Sequence, residues 1–372
     1  MTWIDSGPQA ALVAGVVGAL AGWGVGAGVP RLMRLEGLPT ADAAERARPA
    51  YAALVGAVAA VALWWWEVVA GGLVPVTTVP AVADGTVTTV RWLGHVVLFG
   101  LLAAASWIDL RLRVIPDWIT VPGVLAGLTL AVAAPGHLLP VAIEVPRSFA
   151  APALAGDVLG AWGGLATSAP PSWLAPRPSL TGLAVMVAIA GCWWWTCTPI
   201  VFTHGGRLAR LTLGGGLATA VGATWWDGGP GHSALATALV GIAVGGGLVF
   251  ATRHGASLAM GREAMGFGDV TLMAMIGAWL GWQTTVIVFF LGVFLGLGHG
   301  LVQVLLHGEV EMPFGPSLCA ACALAVVGWR TTWRLAGPFF EDPLALGCVL
   351  GLVVVLSAAA LAGLQWWRSR FG

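Results

Sequence analysis

The chain has 372 residues, of which 58% are hydrophobic and only 9% charged, and its formal net charge is zero. A soluble domain of this length carries charge on about a quarter of its positions, so the composition excludes a soluble globule and reads as an all-α, polytopic bundle of transmembrane helices. The zero balance leaves no electrostatic footprint for nucleic acid, and five cysteines with a single CxxC pair form no zinc framework.

About 20 consecutive apolar residues cross a bilayer as a helix. On that ruler, spans fall near 9–29, 50–71, 91–109, 118–135, 181–203, 211–226, 233–252, 270–282, 284–306, 316–329 and 343–366. The expectation is about 9–11 spans, with 211–226, 270–282 and 316–329 short. Met1–Pro8 lacks a basic n-region and runs straight into a full-length span, so no cleavable signal peptide is expected. The 54 glycines suit helices whose backbones pack closely in lipid.

Arginine supplies every one of the 17 basic Lys/Arg positions. With the N-terminus outside, 12 arginines fall on inside segments, among them Arg31, Arg34, Arg111, Arg113, Arg253 and Arg262. Five fall outside: Arg91, Arg147, Arg177, Arg330 and Arg334. That asymmetry is the positive-inside pattern and makes the C-terminus cytoplasmic. Trp64–Trp66, Trp193–Trp195 and Trp366–Trp367 stand near span ends, where indole rings prefer the interface. The organisation read from these elements is an N-terminal hairpin (1–90), a first aspartate segment (91–135), an insertion with an outer loop and extra hairpin (136–232), a second aspartate segment (233–330) and a C-terminal helix (331–372).

Ionisable residues at membrane depth are costly and carry a functional hypothesis by default. Asp109 closes the third span and Asp269 opens a later one; they are 160 positions apart in sequence, yet both fall at the cytoplasmic face. Each also has a structural reading. Asp269, after Gly266-Phe-Gly, suits a helix N-cap, and Asp117, after Pro116, suits one better. Asp109 suits a surface acid paired with Arg111 or Arg113. Glu67 falls at the outer end of its span without an acidic partner. His95 and His299 read as packed or hydrogen-bonded, and Cys319 and Cys322 as buried apolar residues.

Three blocks resemble a known family. Asp109-Leu-Arg-Leu-Arg-Val-Ile-Pro-Asp117 is similar to the first aspartate motif of type IV prepilin leader peptidases. Gly266-Phe-Gly-Asp269 resembles their GxGD motif, and Met312-Pro-Phe-Gly-Pro316 resembles a segment that follows it. The resemblance covers 90–135 and 233–330. It implies that Asp109 and Asp269 are a catalytic aspartic dyad, with Gly266 and Gly268 allowing close backbone approach beside it. Two carboxyls brought together share a proton, so one activates water and the other assists the carbonyl and the leaving amine, with no metal or cofactor. The implied substrates are prepilins or pseudopilins cleaved at the cytoplasmic face of a bacterial inner membrane.

This chain departs from the family in its first loop, 31–49, which has no cysteine for a zinc element, and in Ala21–Arg31, which lacks the asparagine of the methylating block. Both argue against N-methyltransferase activity. Thr271 stands where a lysine often follows GxGD. The competing classes are an ion-coupled transporter, which explains the depth of the acids but not the proline blocks, and a non-catalytic pilus or secretion assembly factor. A presenilin-like protease would need a Tyr-Asp motif, and the only tyrosine, Tyr51, precedes alanine.

Overall fold

The computed structural model describes residues 8–35, 48–73, 85–141, 179–201, 206–261, 265–307 and 313–340, with scattered positions from 166 to 174 and from 342 to 359. Of the expected loop 31–49, positions 31–35 and 48–49 belong to helices and 36–47 lie outside the described residues, as does most of the outer loop 136–180.

Among the described residues the α-helices run in the order α1 Pro8–Leu35, α2 Arg48–Trp64, α3 Gly85–Leu112, α4 Asp117–Ala133, α5 Leu180–Val201, α6 Arg207–Asp227, α7 Pro230–Met260, α8 Phe267–His307, α9 Gly315–Val327 and α10 Trp329–Ala336, with scattered helical positions between 344 and 359. A π-helical turn, Trp65–Val69, extends α2, and a 3₁₀ turn, Pro135–His137, follows α4. Two short strands, β1 Pro140–Val141 and β2 Ala166–Thr167, pair antiparallel beyond it. Among the described residues, six helices are long and apolar enough to cross a membrane by length and composition, and α4 and α9 are shorter apolar helices. This is the multi-pass helical bundle that the composition predicts.

The two N-terminal helices form a hairpin of their own. A β-carbon on Gly18 would run into Gly56 O, and one on Gly22 into Ala52 O, so α1 and α2 touch backbone to backbone. Their apolar contacts (Ala10, Ala14, Ala60, Leu63, Trp64) make a cluster with Trp92 and Val96 of α3, separate from the main core. That core gathers where α3, α4, α7, α8 and α9 meet, around Leu98, Ile108, Leu239, Met273, Ile276 and Ala321, all fully buried.

The longest helix is broken. Gly281 takes φ 76° and ψ 172°, a conformation open to glycine and not to L side chains. A β-carbon on Gly245 would stand 2.5 Å from Met273 O and 2.7 Å from Thr285 Cγ2. A continuous helix holds residues with that spacing about 18 Å apart. The chain therefore folds back at Gly281, and α8 is two helices, 267–280 and 282–307. The sequence reading expects this division, with spans at 270–282 and 284–306. It places α6 too short: the helix runs Arg207–Asp227 and closes on Gly228 in the left-handed region.

Candidate active site

Asp109 lies three residues before the end of α3. The helix stops there for local reasons: Arg113 turns left-handed (φ 56°), its N–H makes a last bond of 2.8 Å to Asp109 O, and Pro116 is extended (φ −74°, ψ 138°). A non-glycine residue at positive φ is uncommon and marks a tightly specified turn. Asp269 is the third residue of α8, in its first turn. Both carboxyl residues are buried, at 5% and 7% exposure, and they interact electrostatically. The structure thus brings together the two acids that the sequence singled out from opposite ends of two helices.

The three motif blocks converge on one side chain, Ile115. Gly268 packs against its backbone, so that a β-carbon there would lie 2.8 Å from Ile115 Cβ and 3.0 Å from Ile115 O. Gly315, first residue of α9, packs against its other side, 2.8 Å from Ile115 Cδ1 to a would-be β-carbon. The same β-carbon would stand 2.5 Å from Asp109 Oδ2. The Gly315 amide faces the Asp109 carboxyl, while Oδ2 itself is sealed and has no partner at hydrogen-bonding distance. Gly266, in contrast, is exposed and meets nothing closer than the Gly268 amide; only Gly268 of the two motif glycines makes the close approach.

The structural readings of the acids are revised. Asp117 is not the N-cap of α4: Pro116 is, without a side-chain bond, and the Asp117 carboxyl interacts with the Thr271 hydroxyl on α8. Thr271 in turn donates to Gly268 O at 3.0 Å. Asp269 is likewise within the first turn of its helix rather than at the cap. Arg111, expected to pair with Asp109, lies instead over the Trp107 ring at 5.6 Å. His95 is hydrogen-bonded, as expected, to Glu67, whereas His299 is exposed. Cys319 and Cys322 are buried and free. Cys319 meets the Ser106 hydroxyl and faces both carboxyls, a neighbourhood that its apolar sequence context did not signal. Gly315 and Ile115 were the other residues missed; the Pro-Phe-Gly-Pro block was the available clue to Gly315. Among the described residues, no group of three or more His, Cys, Asp or Glu is arranged to hold a metal ion.

Comparison with known proteins bears on the second aspartate segment. Residues 208–301 match the type IV leader peptidase family. The chain is 36% identical over 112 residues to the prepilin leader peptidase/N-methyltransferase of Aeromonas salmonicida, covering 28% of this chain and 38% of that protein. It is 35% identical over 112 residues to the leader peptidase HopD of Salmonella typhimurium, covering 29% and 66%. With the prepilin leader peptidase/N-methyltransferase of Escherichia coli it shares 34% over 86 residues, 23% and 38% of the two chains. The match to the Aeromonas protein thus spans under two fifths of that relative's length. No solved structure matches the chain. Asp269 falls inside the family-matched segment and Asp109 outside it.

Proposed function

We propose that this chain is a prepilin leader peptidase, an aspartic endopeptidase in which Asp109 and Asp269 are the catalytic pair. The observation that carries the reading is the meeting of these two buried carboxyls at one end of the bundle, enclosed by Gly268, Ile115 and Gly315. Two carboxyls that face each other in an apolar setting share one proton. The ionised member draws a proton from water, which attacks the scissile carbonyl. The protonated member donates to the carbonyl oxygen and then to the departing amine. Pre-positioned groups of this kind lower the barrier because little has to reorganise during the reaction.

The substrates of this reading are prepilins or pseudopilins, whose basic leader remains at the cytoplasmic face while the following apolar helix enters the bilayer. The arginine asymmetry supports the same side for the dyad, in the inner membrane. The N-terminal hairpin, without cysteines in its loop or asparagine in Ala21–Arg31, is read as a scaffold rather than a methyltransferase.

Co-expression with a tagged prepilin tests the proposal. Leader removal is expected from the wild-type chain and is lost in Asp109→Asn and in Asp269→Asn. Processing by either variant at the wild-type rate removes that residue from the dyad. A wild-type chain that cleaves no pilin-like substrate would favour the assembly-factor or transporter reading.

A further inference from the structure

At the end of the bundle away from the aspartates, four ionisable side chains are buried together. Glu67, Arg91, His95 and His137 are each 3–4% exposed. They come from three elements: the π-helical turn after α2, α3, and the 3₁₀ turn after α4. His95 Nδ1 lies 2.6 Å from Glu67 Oε1, and the Arg91 charge faces the same carboxyl. Arg91 also reaches forward, donating from Nη2 to Gly136 O at 2.8 Å, which ties α3 to the 3₁₀ turn. Nothing in the proposed hydrolysis uses these groups, yet ionisable residues this deep are expensive to keep.

The end of this chain of contacts gives it a purpose. His137 Nε2 lies 3.1 Å from Trp279 O. Trp279 sits in the last turn of helix 267–280, just before the fold-back at Gly281, where helix carbonyls lose their intrahelical amides. His137 Nδ1 faces Ala134 O at 3.0 Å, so a single ring proton can serve only one of the two carbonyls. Burial holds this imidazole neutral and pulls its pKa down to about 4, outweighing the opposite pull of its two carbonyl partners, and the Arg91 charge acts in the same direction as burial. With that proton on Nε2, the ring caps the end of the helix that begins with the Gly-Asp269 turn.

Two helices carry the aspartates, and both are fastened at both ends. At the dyad end, the turn that follows α3 meets helix 267–280 through Ile115 and Gly268. At the far end they meet through Arg91, Gly136, His137 and Trp279. Trp279 lies about 15 Å along its helix from Asp269, a length over which an α-helix acts as a stiff rod.

We propose that His137 is a positioning residue, which caps helix 267–280 and so sets the depth at which Asp269 meets Asp109. The Glu67–His95–Arg91 cluster holds the turn that carries it and joins the N-terminal hairpin to the same point. This inference rests on the dyad reading. Misplacing a catalytic group by about 1 Å costs on the order of a hundredfold in rate, so a loosened rod shows in turnover before it shows in substrate binding.

The test is steady-state leader cleavage by the purified full-length protein, with thermal unfolding as a check that each variant is folded. His137→Ala and His137→Met, the second keeping volume without a donor, are expected to lower kcat about tenfold or more and change KM less than about twofold. His137→Gln, which keeps an N–H for the carbonyl, is expected to recover kcat to within about threefold of wild type. A folded donorless variant with wild-type kcat overturns the proposal. So does a His137→Gln as slow as the donorless pair, or a loss confined to KM. Asp109→Asn and Asp269→Asn run in the same assay: if either retains activity the dyad reading fails, independently of the histidine variants.

Discussion

Gly315 leaves no room for a methyl group beside Asp109: a β-carbon there would stand 2.5 Å from Oδ2 and 2.8 Å from Ile115 Cδ1. Neither neighbour is the free end of a flexible surface chain, since both residues are buried. Gly315→Ala is therefore expected to push the Asp109 carboxyl aside and to reduce leader cleavage by on the order of a hundredfold. Expression and thermal stability should change far less. Unaltered cleavage by the alanine variant would show that the Pro-Phe-Gly-Pro block does not fix Asp109.

Gly241 and Gly277 bring α7 and α8 into backbone contact; a β-carbon on either would run into the carbonyl of the other. Backbone offers nothing that can rotate away. Gly277→Val is expected to cost about 3 kcal/mol or more and to separate α7 from helix 267–280. Fluorescence-detected size exclusion after a heat ramp measures it, as a clear drop in the temperature at which the monodisperse peak is lost.

His137 makes stability depend on pH in a defined direction. Its folded pKa, about 4, lies below the ordinary 6.5, so between those values the unfolded chain binds the proton and the folded chain does not. Stability attributable to His137 is fully present above about pH 6.5 and is lost as pH falls towards 4, by up to about 3 kcal/mol. Melting temperatures of wild type and His137→Gln, compared across that window, isolate the effect. The wild type should fall more steeply on acidification, and parallel curves would contradict the assignment.

The Trp279 indole donates to Gly123 O at 2.8 Å, joining α8 to α4 between buried surfaces. Trp279→Phe removes the donor and keeps much of the ring, so a loss of about 1 kcal/mol is expected. Gly123 also lies close to Met275, which keeps the two helices together in the variant. Chemical or thermal unfolding in detergent reads this directly.

Much of this was legible in residues. Asp109 and Asp269 announced themselves because an acid is conspicuous in a chain with 9% charge, and the ordered motif blocks linked them. The break at Gly281 was visible as the gap between two apolar runs. Asp117 was misread because a carboxylate after proline satisfies the sequence rule for an N-cap. The backbone gives that place to Pro116, and Thr271, far along the chain, takes the carboxyl instead. His137 was invisible for a related reason. Its partner Trp279 is 142 residues away and offers only a main-chain carbonyl, which no side-chain pattern encodes. Local rules find the ends of helices; they do not find what two helix ends share.

The fold-back at Gly281 also bears on how water reaches the dyad. Helix 267–280 is about 21 Å long, against a hydrocarbon core of about 30 Å. The 13-residue α9, whose first residue faces Asp109, is about as short. A bilayer meets two such stubs by dimpling inward, at a cost of a fraction of a kcal/mol per ångström of mismatch. On the peptidase reading proposed above, such thinning would put Asp109 and Asp269 at the floor of a shallow patch that water reaches without crossing a full leaflet. Cleavage should accordingly respond to acyl-chain length in the surrounding lipid, being faster in thin membranes than in thick ones.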